Sequence, residues 1–287
     1  MVDLKGPGSP FQLLFTGEQP ATPSLPEPFR QIYPGDWHVP APVNGRPYTY
    51  SNFAQARDGR ISYNEPNAFS GGEVTDFNAH DRWLMALLRA RADAIMSGDA
   101  TLNLETEHLW TAEFMASYDS AALTALRAAE GYAPKPILVI VSLEGQINFD
   151  GLCFRQPDAH VVLATTSRGA AHVHGVECDA RIDVHALGET SVDLVRLNQM
   201  LYSDYGVRNL LCEGGARLFG SMLAAKQIDE EFVTFCPNFI GRSNEKFRPS
   251  YTEGVAWMPG NAPYSQPFSL HRAGDFLYMR TKVHYKG

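Results

Sequence analysis

The run PILVIVS at 136–142 is apolar without a break, and AHVVLATT at 159–166 repeats the pattern. Such runs suit strands covered on both faces, which is the situation inside a parallel sheet. ARIDVHAL at 180–187 is a third segment of this kind, and VRNLLCE at 207–213 reads as another strand. Between the strands lie helical patterns. DFNAHDRWLMALLRARA places Trp83, Leu84, Leu87 and Leu88 on one helix face, with Thr75 or Asp76 as its N-cap. SVDLVRLNQMLYSDYG does the same through Leu194, Leu197, Met200 and Leu201 and stops at Gly206. Strands alternating with helices define an α/β class with a largely parallel sheet. YTYSNFA at 48–54 reads as a strand, RDGRIS as a turn with a second short strand, and DAIMSG as a short strand. Residues 106–130 read mostly as helix, and IDEEFVTFCP and FLYMRTKVHY as closing strands that add antiparallel edges.

The first 47 residues differ. They hold ten of the nineteen prolines, so neither a long helix nor a central strand fits there. Residues 1–46 read as a proline-rich extension that packs through Phe11, Leu13, Leu14, Phe29, Tyr33 and Trp37, and residues 47–287 as one domain. The formal charge of -8 and the lack of a basic cluster argue against a nucleic-acid partner. No long apolar run spans a membrane, and the start lacks signal-peptide features, which points to the cytoplasm. Four cysteines stand far apart and read as buried small hydrophobes. His172 and His174 would share one face if their segment were a strand, but no further ligands stand nearby, so no metal site is expected.

The functional signal lies in LLCEGGARLFGSML at 210–223. In open α/β sheets, ligands bind at the carboxyl ends of strands. A strand delivers Glu213 to that edge, Gly214 and Gly215 let a ligand approach the backbone, and the next helix opens with its N–H groups facing the same place. A phosphate or pyrophosphate fits, with Arg217 adding charge, while Leu218, Phe219, Met222 and Leu223 pack the helix. The glycine spacing matches neither a Rossmann fingerprint nor a P-loop. A tight turn with no ligand is the alternative.

Three blocks carry a resemblance: SNFAQARDGRIS at 51–62, DRWLMALLRARADAIMSGDATLNLE at 81–105, and the glutamate–glycine–glycine block running from 209 to 241. Together they resemble the C-terminal reductase domain of the bacterial riboflavin-pathway deaminase–reductase. The resemblance implies a dihydrofolate-reductase-like fold: a mixed, mostly parallel sheet with helices on both faces. It also implies an NADPH-dependent reductase that passes hydride to the sugar C1 of a pyrimidine-ribosyl substrate, or to a similar carbonyl or imine, and it makes a homodimer plausible. By position it places Ala54, Thr75, Thr101, Glu105 and Ser142 along the cofactor. Gly214, Gly215, Ala216, Arg217, Leu218, Phe219, Gly220 and Ser221 would cradle its phosphates. Arg89 and Glu213 would face the substrate, with Asp58 and Glu213 at the reacting end, and Thr165, Thr166, Ser167 and Arg168 would meet the adenosine 2′-phosphate. Each residue has a plainer alternative: Asp58 holding its turn, Arg89 a helix-end cation, Glu105 an acid beside the next helix. The sequence departs from the family at NLETEHLWTAEF (103–114), where the family carries two aspartates, a proline and an arginine that help grip the ribose phosphate. The zinc deaminase signature is absent as well. The substrate is therefore open, and so is a second reading, a protein of this fold that binds a nucleotide without turning it over. A hydrolase using Asp58 or Glu213 as base is a third.

Overall fold

The structure is a computed structural model that describes residues 5–17 and 24–286. Ten strands form one sheet: β1 (Gln12–Thr16), β2 (Tyr48–Gln55), β3 (Ala94–Gly98), β4 (Ile137–Val141), β5 (His160–Thr165), β6 (Arg181–Ala186), β7 (Asn209–Cys212), β8 (Glu230–Phe235), β9 (Tyr264–Ala273) and β10 (Phe276–His284). Their order is β1-β9-β10-β8-β2-β7-β3-β4-β5-β6. From β8 through β2 and β7 to β6 every pairing is parallel. The flank β1-β9-β10 is antiparallel and joins through β10 to β8.

Helices cover both faces. On one face lie α1 (Glu27–Ile32), α2 (Gly71–Val74), α3 (Ala79–Ala90), α4 (Asp99–Leu104), α5 (Ala112–Met115) and α6 (Ser120–Ala129); the chain continues with α7 (Ser167–His172), α8 (Leu194–Ser203) and α9 (Ala216–Ala224). α3 and α6 bury Trp83, Leu84, Leu87, Leu123 and Leu126 against Tyr50, Ile95, Leu138, Leu211 and Phe232 of the sheet. On the opposite face α8 and α9 bury Leu197, Leu201, Phe219 and Met222 against Phe53, Met96, Val139 and Leu210. This inside-on-both-faces arrangement is why the central strands are uninterrupted apolar runs. The mixed, mostly parallel architecture is the one expected.

The N-terminal extension packs on its own domain. β1 adds to the sheet edge beside β9. Phe11, Phe29, Tyr33 and Trp37 are buried, whereas Leu13 is half-buried and Leu14 exposed. Phe11 meets Tyr278 edge-on at 4.9 Å, Tyr33 stacks on His271 at 3.9 Å, and Trp37 packs between Tyr50 and Phe232.

Several local expectations are corrected. α3 begins after Asn78, whose side chain accepts from the amides of His80 and Asp81; Asp76 and Phe77 sit at φ 51° and 53°, outside helical geometry. The segment 57–62 turns at Gly59 and forms only a bridge from Arg60 to Ser250, because β2 is already flanked by β7 and β8 and offers no edge to a hairpin partner. Residues 106–111 are irregular, since the carbonyls of Leu109 and Thr111 are taken by Arg89 and Thr111 caps a separate helix. His172 ends α7 and His174 lies in the turn after it, so no strand aligns them. β9 is an added strand: it carries Pro267, tolerated where the register with β10 shifts between Arg280 and Thr281.

Candidate active site

The parallel strands deliver their carboxyl ends to one edge. Ala56–Asp58, Asp99, Ser142, Thr166 and Glu213 follow β2, β3, β4, β5 and β7 there. Glu213 is held by Met96 through its amide, 2.9 Å, and by Arg89 through its carboxylate. The Arg89 fork is bidentate: Nε donates to Oε1 at 3.0 Å and Nη2 to Oε2 at 2.8 Å. The two side chains are 2% and 7% exposed, so water screens little of this pair.

The rest of the guanidinium is also used. Nη1 donates to Leu109 O at 3.1 Å and Thr111 O at 3.3 Å, and Nη2 meets His108 Nε2 at 2.9 Å. His108 accepts there, and its Nδ1 faces Glu105 Oε2 at 3.2 Å. Burial, reinforced by Arg89, holds the imidazole well below its ordinary pKa, so it stays neutral. Burial pushes the Glu105 carboxyl up to about 7 against the pull of Arg89, with Glu213 and Glu73 adding to the rise. Beside them Asp81 of α3, 5% exposed, is pushed up to about 6 by burial; the Thr234 hydroxyl opposes the shift and Glu213 adds to it. His108, Asp81 and Thr234 were not singled out by the sequence. The only signal for His108 is its spacing of three from Glu105, and Asp81 reads in sequence as an ordinary first-turn acid.

The glycine turn stands next to this wall. Gly215 is the N-cap of α9, and no side chain caps it. A Cβ at Gly215 would meet only Thr101 Oγ1, at 3.6 Å, so the backbone is bare toward the cleft and Thr101 stands beside it. Gly214 has a different reason: a Cβ there would lie 2.4 Å from the Leu218 side chain. The first-turn amides of Ala216, Arg217 and Leu218 are the helix's open donors. Phe219 lies beyond them, its N–H bonded to Gly215 O and its ring fully buried. Gly220 and Ser221 continue the helix, and Gly220 backs onto Glu253 O, where a Cβ would sit at 2.4 Å. From Phe219 onward the amides are taken up within α9, so the open donors end at Leu218.

The remaining expected residues tie loops together. Ser142 donates to Asp99 Oδ2 at 2.5 Å and accepts from Gly145 N. Thr75 ends α2 and donates to Gly72 O, and α2 packs beside Ala54. Thr166 caps α7 and donates to Leu143 O; Thr165 is fully buried and its hydroxyl makes no hydrogen bond, while its carbonyl accepts from Leu187 N. Ser167 pairs with Glu189, and Arg168 with Glu144 at the surface. Asp58 accepts from Gly241 N at 2.6 Å and Ile240 N at 3.3 Å. Burial would raise its pKa, but these amide bonds hold the carboxyl below its ordinary range.

Fold and site together define an α/β protein with its polar site at the carboxyl edge of a mostly parallel sheet. Residues 47–254 match the family model described as the RibD C-terminal domain. A protein of Archaeoglobus fulgidus described as 2,5-diamino-6-ribosylamino-4(3H)-pyrimidinone 5′-phosphate reductase is 30% identical over 213 residues, covering 74% of this chain and 89% of that protein. Riboflavin biosynthesis protein RibD of Chlamydia muridarum is 26% identical over 59% of this chain, which spans 44% of that protein. Among solved structures, Acinetobacter baumannii RibD superposes with TM-score 0.62 at 18% identity, over 84% of this chain and 59% of that one. A pyrimidine reductase-like protein of Corynebacterium diphtheriae also gives 0.62, at 16% identity, over 84% of this chain and 93% of its own. The chain belongs to the RibD C-terminal domain family and is a reductase of the riboflavin-pathway pyrimidine type.

Proposed function

We propose that this chain uses NADPH to reduce a pyrimidine-ribosyl compound or a related carbonyl or imine. The observation that carries this is the uncapped start of α9 behind Gly214 and Gly215, one residue from the buried Glu213–Arg89 pair. Open amides at a helix start favour a phosphate. The residues fit the cofactor: the bare backbone at Gly215 leaves room for a pyrophosphate, and Thr101 stands within reach of the same space. Arg168, 75% exposed and paired only with surface Glu144, is free to exchange that partner for a 2′-phosphate.

A bound nicotinamide supplies the hydride. The chain's own residues hold the partners together and keep water out. Reduction of a C=O or C=N bond places hydride on carbon and a proton on the heteroatom. Glu105, which retains a proton near neutrality, is a proton source in the same wall. In this reading Glu213 is a fixed acceptor oriented by Arg89, and Asp58 sets the 238–241 loop.

Thermal unfolding with increasing NADPH tests the proposal. A ligand at a hundred times its dissociation constant adds about 2.7 kcal/mol. Gly215→Asp should fold normally and lose most of that gain, and NADPH oxidation should appear with the pyrimidine substrate. An undiminished gain in Gly215→Asp would remove the cradle, and a gain without oxidation on any pyrimidine or carbonyl would remove the reductase reading.

A further inference from the structure

A cavity backs onto the loop that holds Arg89. Leu109, Trp110 and Thr111 form one wall and the entry to β4 at Pro136 and Leu138 another, with Cys153 and Ala159 between, around a space of about 270 Å³. The carbonyls of the same loop serve the site: Leu109 O and Thr111 O accept from Arg89 Nη1 at 3.1 and 3.3 Å. One short segment therefore walls the cavity and fixes the guanidinium that pairs with Glu213.

The charges of the lining are already matched. Lys135 donates to Asp158 at 2.6 Å, Glu113 accepts from the Thr124 hydroxyl at 3.1 Å, and His160 meets Asp183 at 2.8 Å. An anion would have to break the Lys135 pair to find a cation here. What is left unmatched is neutral. Trp110 is 5% exposed, and its indole N–H donates to nothing among the described residues, whereas Trp83 donates to Asp119 at 2.8 Å. The nitrogen is not sealed off like that of Trp37, and the opening is the cavity that Trp110 lines. A buried indole N–H ordinarily finds an acceptor. Gln156, also in the lining, donates to Leu152 O at 3.3 Å and leaves its carboxamide oxygen over.

We propose that this cavity binds a small, uncharged, fused-ring heteroaromatic, and that its occupancy is felt at the Glu213–Arg89 pair. The ligand offers an acceptor to the Trp110 N–H, which can only donate, and an N–H to Gln156. Walls of proline and tryptophan rings suit a flat body, and an apolar lining with a few placed polar groups is the usual make-up of a small-molecule site. The volume holds such a molecule and not a length of chain. The binding half stands apart from the reductase reading above; the coupling half rests on it.

The probe is quinazolin-4-one, titrated into the full isotope-labelled chain and followed by NMR. The chain has four tryptophans, and Trp110→Phe identifies the Trp110 indole signal. That signal should shift saturably, with a Kd of about 1 mM or tighter, while those of Trp37, Trp83 and Trp257 move far less. Naphthalene-2-carboxylate, an anion of similar size, should bind at least about fivefold more weakly. Ala159→Phe, which fills the space, should abolish binding. Trp110→Phe keeps an aromatic ring without the donor and should weaken binding about fivefold, read by saturation transfer to the probe. No saturable shift up to about 10 mM, equal affinity for the anion, or binding that survives both variants overturns the site. Should Ala159→Phe fail to fold, Trp110→Phe decides alone. A Trp110 signal that ignores the probe and moves with protein concentration would give the space to a second copy, and overturns the site as well. For the coupling, saturating probe should change KM for the pyrimidine substrate at least about twofold, and an unchanged KM removes that half. Failure of the reductase reading looks different: the Trp110 shift persists, with no NADPH oxidation on any pyrimidine or carbonyl.

Discussion

Replacing Arg89 with Met removes a guanidinium and keeps most of the buried stem. The partners left behind set the magnitude. Glu213 loses both bonds of a bidentate pair at 7% exposure, and the carbonyls of Leu109 and Thr111 and the His108 ring lose their donors. Stripping one partner from a buried ion pair costs about 3–5 kcal/mol, most of it from the stranded charge. For a chain of 287 residues the unfolding entropy converts that loss to a fall in Tm of about 5–8 °C. Differential scanning calorimetry at neutral pH reads it directly. Two controls sharpen the reasoning. Arg89→Lys keeps charge but not the fork, and should fall between. Arg89→Met combined with Glu213→Gln should be more stable than Arg89→Met alone, because no carboxylate is stranded. A loss below about 1 kcal/mol, or a double variant weaker than the single, would show that Arg89 is a solvated helix-end cation after all.

Three further outcomes follow from the same geometry. Glu105 has a folded pKa near 7, above its ordinary 4.5, so its contribution to stability is full below pH 4.5 and is lost as pH rises through 7. Glu105→Gln should therefore be more stable than the parent at pH 8 and equal to it near pH 4, as read by urea unfolding; a difference that grows toward acid would refute the assignment. Gly220→Ala would gain about 0.5–1 kcal/mol of helix propensity but drives a methyl into Glu253 O, so a net loss of about 1–3 kcal/mol is expected, and a stabilised variant would mean the 250–255 loop yields freely. Arg168→Ala should raise KM for NADPH roughly fivefold, an exposed charge contact being worth about 1 kcal/mol, and leave KM for NADH unchanged; equal effects on both would place the 2′-phosphate elsewhere.

The central sheet was legible because burial on both faces leaves an unbroken apolar signature, as in Ile137–Val141 and His160–Thr165. The flank was harder to read. β9 is exposed over its first half and contains Pro267, so neither periodicity nor propensity marks it, and its pairing with β10 and β1 makes it a strand. At the site, residues near in sequence were readable: Glu213, Gly214 and Gly215 declare a strand running into a helix. Arg89 was found through family likeness, but its fate was not visible. Its acceptors at Leu109 and Thr111 lie 20 and 22 residues on, in a loop whose irregular course exists to reach it. Asp81 escaped notice because nothing beside it in sequence marks its burial, and its hydroxyl partner Thr234 stands on β8, far along the chain.

The family likeness begins at residue 47, yet the molecule's packing begins earlier. Trp37 is wedged between Tyr50 and Phe232, its carbonyl takes a bond from Arg91, and Asp36 fastens the backbone of Ser24 and Leu25. A recombinant fragment cut to the matched boundaries would leave Tyr50 and Phe232 facing solvent and would discard β9 and β10 with the rest. What looks like a dispensable leader is a keystone, and any minimal version of this enzyme has to carry it.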